Sequence, residues 1–246
     1  MTCHSGGTLE IYVEPHLPAP VLWVAGTTPI AGALVALGSA AGWRVSIFDP
    51  IADPDAFPGA ERVVVGTDIA GLDPGVAPAV VVATQGVWDE EALAAALARD
   101  ASYVGLVASP TRAAVVRAWL REEAGVPDDR LAAMRAPAGL DLGGETAEEV
   151  ALSILAELVQ VRRGTAAFVA SPGPATLAGA PRPEFPPVVD DIVLLDPVCG
   201  MTVDRAHARH LAEHDGVVYA FCSMGCRTSF IREPTAYVPV SVSSTD

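Results

Sequence analysis

Chemistry in this chain is concentrated near its C-terminal end, where Cys199, Cys222 and Cys226 follow a C-x22-C-x3-C pattern within "DPVCGMTVDRAHARHLAEHDGVVYAFCSMGC". Three clustered thiolates suit a soft or borderline ion, so Zn²⁺ or Cu⁺ is expected there. A closed zinc site needs a fourth ligand, and His207, His210 and His214 are the histidines within reach, in a segment whose composition reads as helix. Each of them also reads as a solvated surface residue. A second concentration lies at "APAGLDLGGETAEEVALSIL", residues 136–155. Gly139, Gly143 and Gly144 allow close backbone approach, and Thr146 with Glu149 has the capping-box spacing that starts a helix. Bare amides at a positive helix end form an anion site, and Asp141 between the glycines could accept from a ligand ring. The same loop also reads as a tight connection that only caps the helix, with Asp141 shaping an Asx-turn.

What is missing restricts the chemistry further. All fifteen basic residues are arginine, so a Schiff-base or P-loop lysine is excluded. No histidine or cysteine occurs between residues 17 and 198. The large N-terminal region therefore has carboxylates, hydroxyls, arginines and amides to work with, which favours binding over nucleophilic or general-base catalysis. A net charge of −15 disfavours nucleic acid and anionic membranes as partners. No apolar run reaches the roughly 18 residues needed to span a membrane. The start lacks a secretory signal pattern, and a cytoplasmic location with reduced thiols is expected.

These groups must be positioned by the elements around them. Val21–Ala25 reads as a strand, residues 30–37 as a helix and residues 45–48 as a second strand ending at Asp49. Further strands are expected at "RVVVG", "AVVVAT" and "SYVGLVA", with helices at about 88–99 and 110–124, the latter started by Ser109 and Pro110. Ala151, Ile154, Leu155, Leu158 and Val161 give one apolar stripe to a helix after Thr146. Alternation of apolar strands with helices predicts an α/β fold, a Rossmann-like parallel sheet covered on both faces. Pro/Gly/Ala-rich sequence then leads to a small Cys-rich α+β metal-binding domain. The expected divisions are an N-terminal strand segment 1–20, the Rossmann-like domain 21–164, a linker 165–192, the small domain 193–240 and a tail 241–246. The first turn, "AGTTPIAG", keeps Gly26 but has Thr27, Thr28 and Pro29 where a dinucleotide fingerprint repeats glycine. The two threonines could donate to a phosphate or simply pack. Asp49, at the end of the second strand, has the place of a ribose-binding acid.

"CHSGGTLEIYVEP", "GWRVSIFDP", "YVGLVAS" and above all "APAGLDLGGETAEEVALSILAEL" resemble the XdhC/CoxI family of accessory proteins for molybdenum hydroxylases, over residues 2–163. The resemblance implies a maturation factor that binds the molybdenum cofactor, helps its sulfuration and passes it to a hydroxylase apo-enzyme of the xanthine or carbon monoxide dehydrogenase type. It places Cys3 near the cofactor, and it makes a cysteine desulfurase or a separate N-terminal XdhC-type chain further partners, because members carry another domain before the "SGG" motif. Gln85 and the Gly26–Pro29 turn depart from the family pattern, which has histidines there. "DPVCGM" and "YAFCSMGC" resemble a YHS domain of the TRASH type, which implies metal binding. The expected function is thus a cofactor-binding chaperone, a homodimer without catalysis of its own. Two other classes stay open: an NAD(P)-dependent oxidoreductase built on Gly26 and Asp49, with Tyr103 as its sole proton-donor candidate, and a metal sensor or metallochaperone built on the three cysteines.

Overall fold

The computed structural model describes residues 11, 12, 14, 18–69, 77–164, 193–204 and 208–238. Cys3, His207, the 165–192 linker, the 241–246 tail and most of the 1–20 segment lie outside the described residues.

Six parallel strands form the main sheet: β1 (Val21–Ala25), β2 (Arg44–Asp49), β3 (Arg62–Val65), β4 (Ala79–Val82), β5 (Tyr103–Leu106) and β6 (Met134–Arg135). Their order is β3-β2-β1-β4-β5-β6, the doubly wound Rossmann order, with the switch point between β1 and β4. The strands read as continuous apolar runs because both faces are buried. Leu22 and Val24 face α1 (Pro29–Ala40) and α5 (Ala147–Arg162), packing with Leu34, Ile47, Ile154 and Leu158. Trp23, Val80 and Val104 face the other way, against Leu93 of α2 (Asp89–Leu97), Val116 and Leu120 of α3 (Pro110–Glu122) and Leu131 of α4 (Asp128–Ala133).

The start signals of α3 and α5 act as expected, and Thr28, read from sequence as a phosphate donor or a packing residue, is a helix cap as well. Thr28 caps α1 and Ser109 caps α3, each with proline next in the chain, and Thr146 and Glu149 form the reciprocal capping box of α5. Thr146→Ala should cost about 1 kcal/mol, lowering the melting temperature by about 2–4 °C in calorimetry. Gly26 has a different use. It sits at φ +110°, and a Cβ there would lie 2.3 Å from the Ala83 carbonyl oxygen, so the β1–α1 turn touches the end of β4 directly. Gly26→Ala should destabilise the chain by about 3 kcal/mol, read as a lower urea midpoint at unchanged slope.

From residue 193, the described residues of the small domain form two short antiparallel pairs and an α-helix: β7 (Val193–Leu195) with β8 (Thr202–Asp204), β9 (His210–His214) with β10 (Val217–Phe221), and α6 (Met224–Arg232), followed by a 3-10 turn at Pro234–Ala236. Asp215 and Gly216, both at positive φ, close the β9–β10 hairpin. The helix expected around His210 and His214 is therefore a strand, because pairing with the apolar β10 outweighs the helical composition of the segment.

Candidate metal centre and cofactor crevice

The three cysteines come from three different local structures. Cys199 lies in the turn between β7 and β8, Cys222 follows β10, and Cys226 is in the first turn of α6, whose cap Ser223 accepts from the Cys226 amide at 3.3 Å. Cys199 and Cys222 Sγ are 3.4 Å apart, and Cys222 and Cys226 Sγ 3.7 Å. Thiolates bound tetrahedrally to zinc at about 2.3 Å stand about 3.8 Å from one another, so the trio fits a single ion. Cys226 is held as the thiolate, well below the ordinary thiol range, by hydrogen bonds from Cys199 and Cys222 with the Arg112 guanidinium facing it. Cys222 is pushed up by the same thiol contacts and by burial.

Among the described residues, the fourth group beside the sulfurs is a carboxylate. Asp196, fully buried, lies with the three sulfurs in a cluster whose ligand atoms are all within 4.8 Å of one another. Its Oδ1 accepts from Val198 N at 2.8 Å and Cys199 N at 3.4 Å, and its Oδ2 from Cys222 N at 2.8 Å, so one carboxylate ties both cysteine turns together. Burial, and then the Cys226 thiolate, raise its pKa to about 6. His214 instead stands edge-on to Phe230 and faces Asp215 at 3.6 Å, and His210, partly buried, has its pKa lowered by that burial. The motif "DPVCGM" contains Asp196, but sequence spacing alone does not distinguish its role from that of the nearby histidines.

The small domain rests on the sheet domain beside this centre. Arg112 of α3, 1% exposed, donates through Nη2 to Asp89 Oδ2 at 3.2 Å and Glu90 Oε1 at 3.1 Å. Its Nη1 donates to Ser223 Oγ and lies 3.4 Å from Cys226 Sγ. Asp89 also accepts from the Thr84 hydroxyl. Val115 of α3 packs on the Phe221–Phe230 cluster, and Arg232 pairs with Glu122 and Glu123. A Cβ on Gly225 would fall 2.6 Å from Glu90 Oε1, so α6 approaches α2 and α3 closely. The sequence carried a signal for Arg112 that goes unread without the fold: it lies one and two helical repeats before the core residues Val116 and Leu120, on the buried side of α3.

The expected cofactor residues do not all meet: the loop glycines and Asp141 line one cleft, and Gly26, Thr27, Thr28 and Asp49 are not among its lining residues. A cleft of about 740 Å³ brings Gly139, Asp141, Gly143 and Gly144 together with Ile30 at the start of α1 and Ser109 and Pro110 at the start of α3. Asp141, Gly143 and Gly144 are exposed at its mouth. The start of α5 is less open than its glycines suggest, because Glu149 Oε2 accepts from Glu145 N at 2.8 Å and Thr146 N at 3.1 Å. Those two bonds hold the Glu149 carboxyl below its usual range. Gly139 N donates to Glu157 Oε2 at 2.8 Å, and a Cβ on Gly139 would fall 2.4 Å from Ser153 Oγ, so this glycine lets the loop touch α5.

The other expected contacts are spent inside the protein. Asp49 is buried, with Oδ2 accepting from Trp88 Nε1 at 3.2 Å and Oδ1 from Ile51 N at 2.9 Å. Thr28 Oγ1 accepts from Ala31 N in its cap, while Thr27 precedes it, partly buried. Tyr103 donates to Glu157 Oε2 at 2.6 Å, in the core rather than at the crevice. Gln85 stands at φ +54° in the turn after β4.

With this geometry in place, residues 22–158 match the XdhC Rossmann domain and residues 194–240 the YHS domain. The chain belongs to the XdhC Rossmann-domain family and carries a YHS domain. The XdhC-type part is 28% identical over 164 residues to the uncharacterized protein YqeB of Escherichia coli K12, covering 64% of this chain and 30% of that protein. The YHS part is 44% identical over 48 residues to a copper-transporting P-type ATPase of Rhizobium leguminosarum bv. viciae, covering 20% of this chain and 6% of the ATPase. The chain thus spans less than a third of the length of either curated relative. A solved structure of a xanthine dehydrogenase from Bacillus halodurans shares the fold with a TM-score of 0.51 at 24% identity, over 63% of this chain and 46% of that one. Among the described residues no helix is long and apolar enough to cross a membrane.

Proposed function

We propose that this XdhC-type chain is a maturation factor that binds the molybdenum cofactor in the cleft between α1, α3 and α5 and passes it to a molybdenum hydroxylase, with the YHS domain as its metal-binding appendage. The observation that carries the reading is the cleft itself. It lies at the carboxyl end of the sheet, at the starts of α1 and α3, and the Gly139–Gly144 loop forms its wall. Its size is in the range of about 300–1,000 Å³ typical of small-molecule sites. Two helix starts and the amides of Gly143 and Gly144 suit the phosphate that the cofactor carries, and Ser109 adds a hydroxyl. The exposed Asp141 carboxylate suits the donor edge of a pterin. Among the described residues, those lining the cleft offer hydroxyls, a carboxylate and backbone amides, groups that bind and orient a ligand.

The xanthine dehydrogenase relationship supports a hydroxylase client, and the copper ATPase relationship supports Cu⁺ beside Zn²⁺ as the ion at Cys199, Cys222 and Cys226. The decisive experiment exposes the purified chain to free molybdenum cofactor, gel-filters it and measures molybdenum and pterin per chain, with NADH as competitor. Near-stoichiometric molybdenum that NADH does not displace is expected. Asp141→Ala should lower retention about tenfold at unchanged melting temperature, the effect of losing one charge-assisted bond. NADH bound in place of the cofactor would reject the carrier reading.

A further inference from the structure

We propose that the thiol cluster is a two-domain metal centre: Arg112 of the Rossmann domain supplies the counter-cation to the Cys226 thiolate, so that metal loading and the seating of the YHS domain are one coupled equilibrium. This inference rests on the metal-binding reading of the three cysteines.

Charge accounting makes a counter-cation necessary. With an ion bound, three thiolates and Asp196 carry four negative charges in a partly buried site, and a divalent ion leaves two uncompensated. Asp89 and Glu90, each 1% exposed, add two more within reach of the same guanidinium. Arg112 is the cation that the described residues show inside this cluster, and its two Nη groups face opposite ways. Nη2 serves the two acids of its own domain, while Nη1 serves Ser223 and Cys226 of the other. An arginine needed only to neutralise Asp89 and Glu90 has no need of the second contact. Its Nε, buried without a hydrogen-bond partner, is a cost carried by this placement.

The cysteine-bearing segments are themselves the contact surface. A Cβ on Gly86 would meet the Cys222 carbonyl at 3.4 Å and its Sγ at 3.6 Å, and Gly225, next to Cys226, lies against Glu90 and Trp119. Drawing the sulfurs around an ion therefore sets the shape that α2 and α3 meet. By linkage, whatever factor seating adds to metal affinity, loading adds to seating.

The test uses the full chain, titrated with Zn²⁺ against a chromophoric chelator, as wild type, R112Q and V115E. Val115 packs on the YHS aromatic cluster, so a glutamate there unseats the YHS domain while sparing Arg112, all three cysteines and the buried positions of α3. Both variants should bind Zn²⁺ about tenfold or more weakly than wild type. Zn²⁺ should also slow amide exchange in the first turn of α2 and along α3 of the wild type, and not in V115E. If R112Q does not fold, V115E alone tests the coupling. Wild-type binding matched within about twofold by V115E, or protection confined to residues 193–238, would overturn the coupling while the metal reading stands. A wild type that takes up neither Zn²⁺ nor Cu⁺ would overturn both.

Discussion

Stripping metal from the full chain with a strong chelator is expected to unfold the YHS domain and leave the Rossmann domain intact. The physical reason is the size of the smaller core. Its central cluster has Phe221, Cys226 and Phe230 fully buried, with a ring of half-buried neighbours. A unit of this length falls below the roughly 70 residues at which one apolar core suffices, and a structural zinc contributes on the order of 10 kcal/mol to such domains. The Rossmann domain has two extensive apolar layers, one on each face of its sheet, and does not depend on the ion. Hydrogen exchange with and without chelator checks this: protection over residues 193–238 should vanish, and that over residues 21–162 should persist apart from the first turn of α2 and from α3, which the small domain covers. Cys222→Ser should mimic the chelator. Full protection of the small domain in the stripped protein would mean that the aromatic cluster and the domain contact suffice, and that the ion is cargo.

Arg112→Ala is expected to destabilise the Rossmann domain by about 3–5 kcal/mol, because it leaves Asp89 and Glu90 buried with no cation. The loss should depend on pH. Burial already holds the Glu90 carboxyl above its usual range, against the pull of Arg112, and removing the guanidinium raises it further. A carboxyl whose folded pKa exceeds its unfolded value is protonated in both states at low pH and adds no penalty there. The penalty grows as pH rises through the unfolded and then the folded value. Urea denaturation should therefore show the variant closest to wild type near about pH 5 and furthest from it near about pH 8. Adding Asp89→Asn and Glu90→Gln should recover most of the loss. A deficit that is flat with pH and unaffected by those two changes would assign Arg112 a packing role only.

Interactions spanning a few residues were legible before any tertiary structure. The strands, the capped starts of α3 and α5 and the apolar stripe of α5 follow from periodicities and caps that operate within four positions, and the chain obeys them. Thiol type and spacing identified the three sulfurs that meet, since the two turns and the helix start bearing them are local features. The strand at His210–His214 went the other way, because its pairing with β10 outweighed local composition.

Which polar groups remain available once the chain has closed on itself is a matter of long-range contact. Asp49 has the right place for a ribose, but Trp88, 39 residues away, occupies it. Glu149 takes the amides that the glycine-rich loop offers at α5. Among the described residues, Asp196 stands beside the sulfurs, where His210 and His214 also qualified by spacing alone. Arg112 reaches Cys226 across a separation of 114 residues. Local sequence thus set the elements and the donor types, and the closed fold set their partners. A buried polar group must be satisfied by whatever the fold brings within about 3 Å, regardless of its distance along the chain.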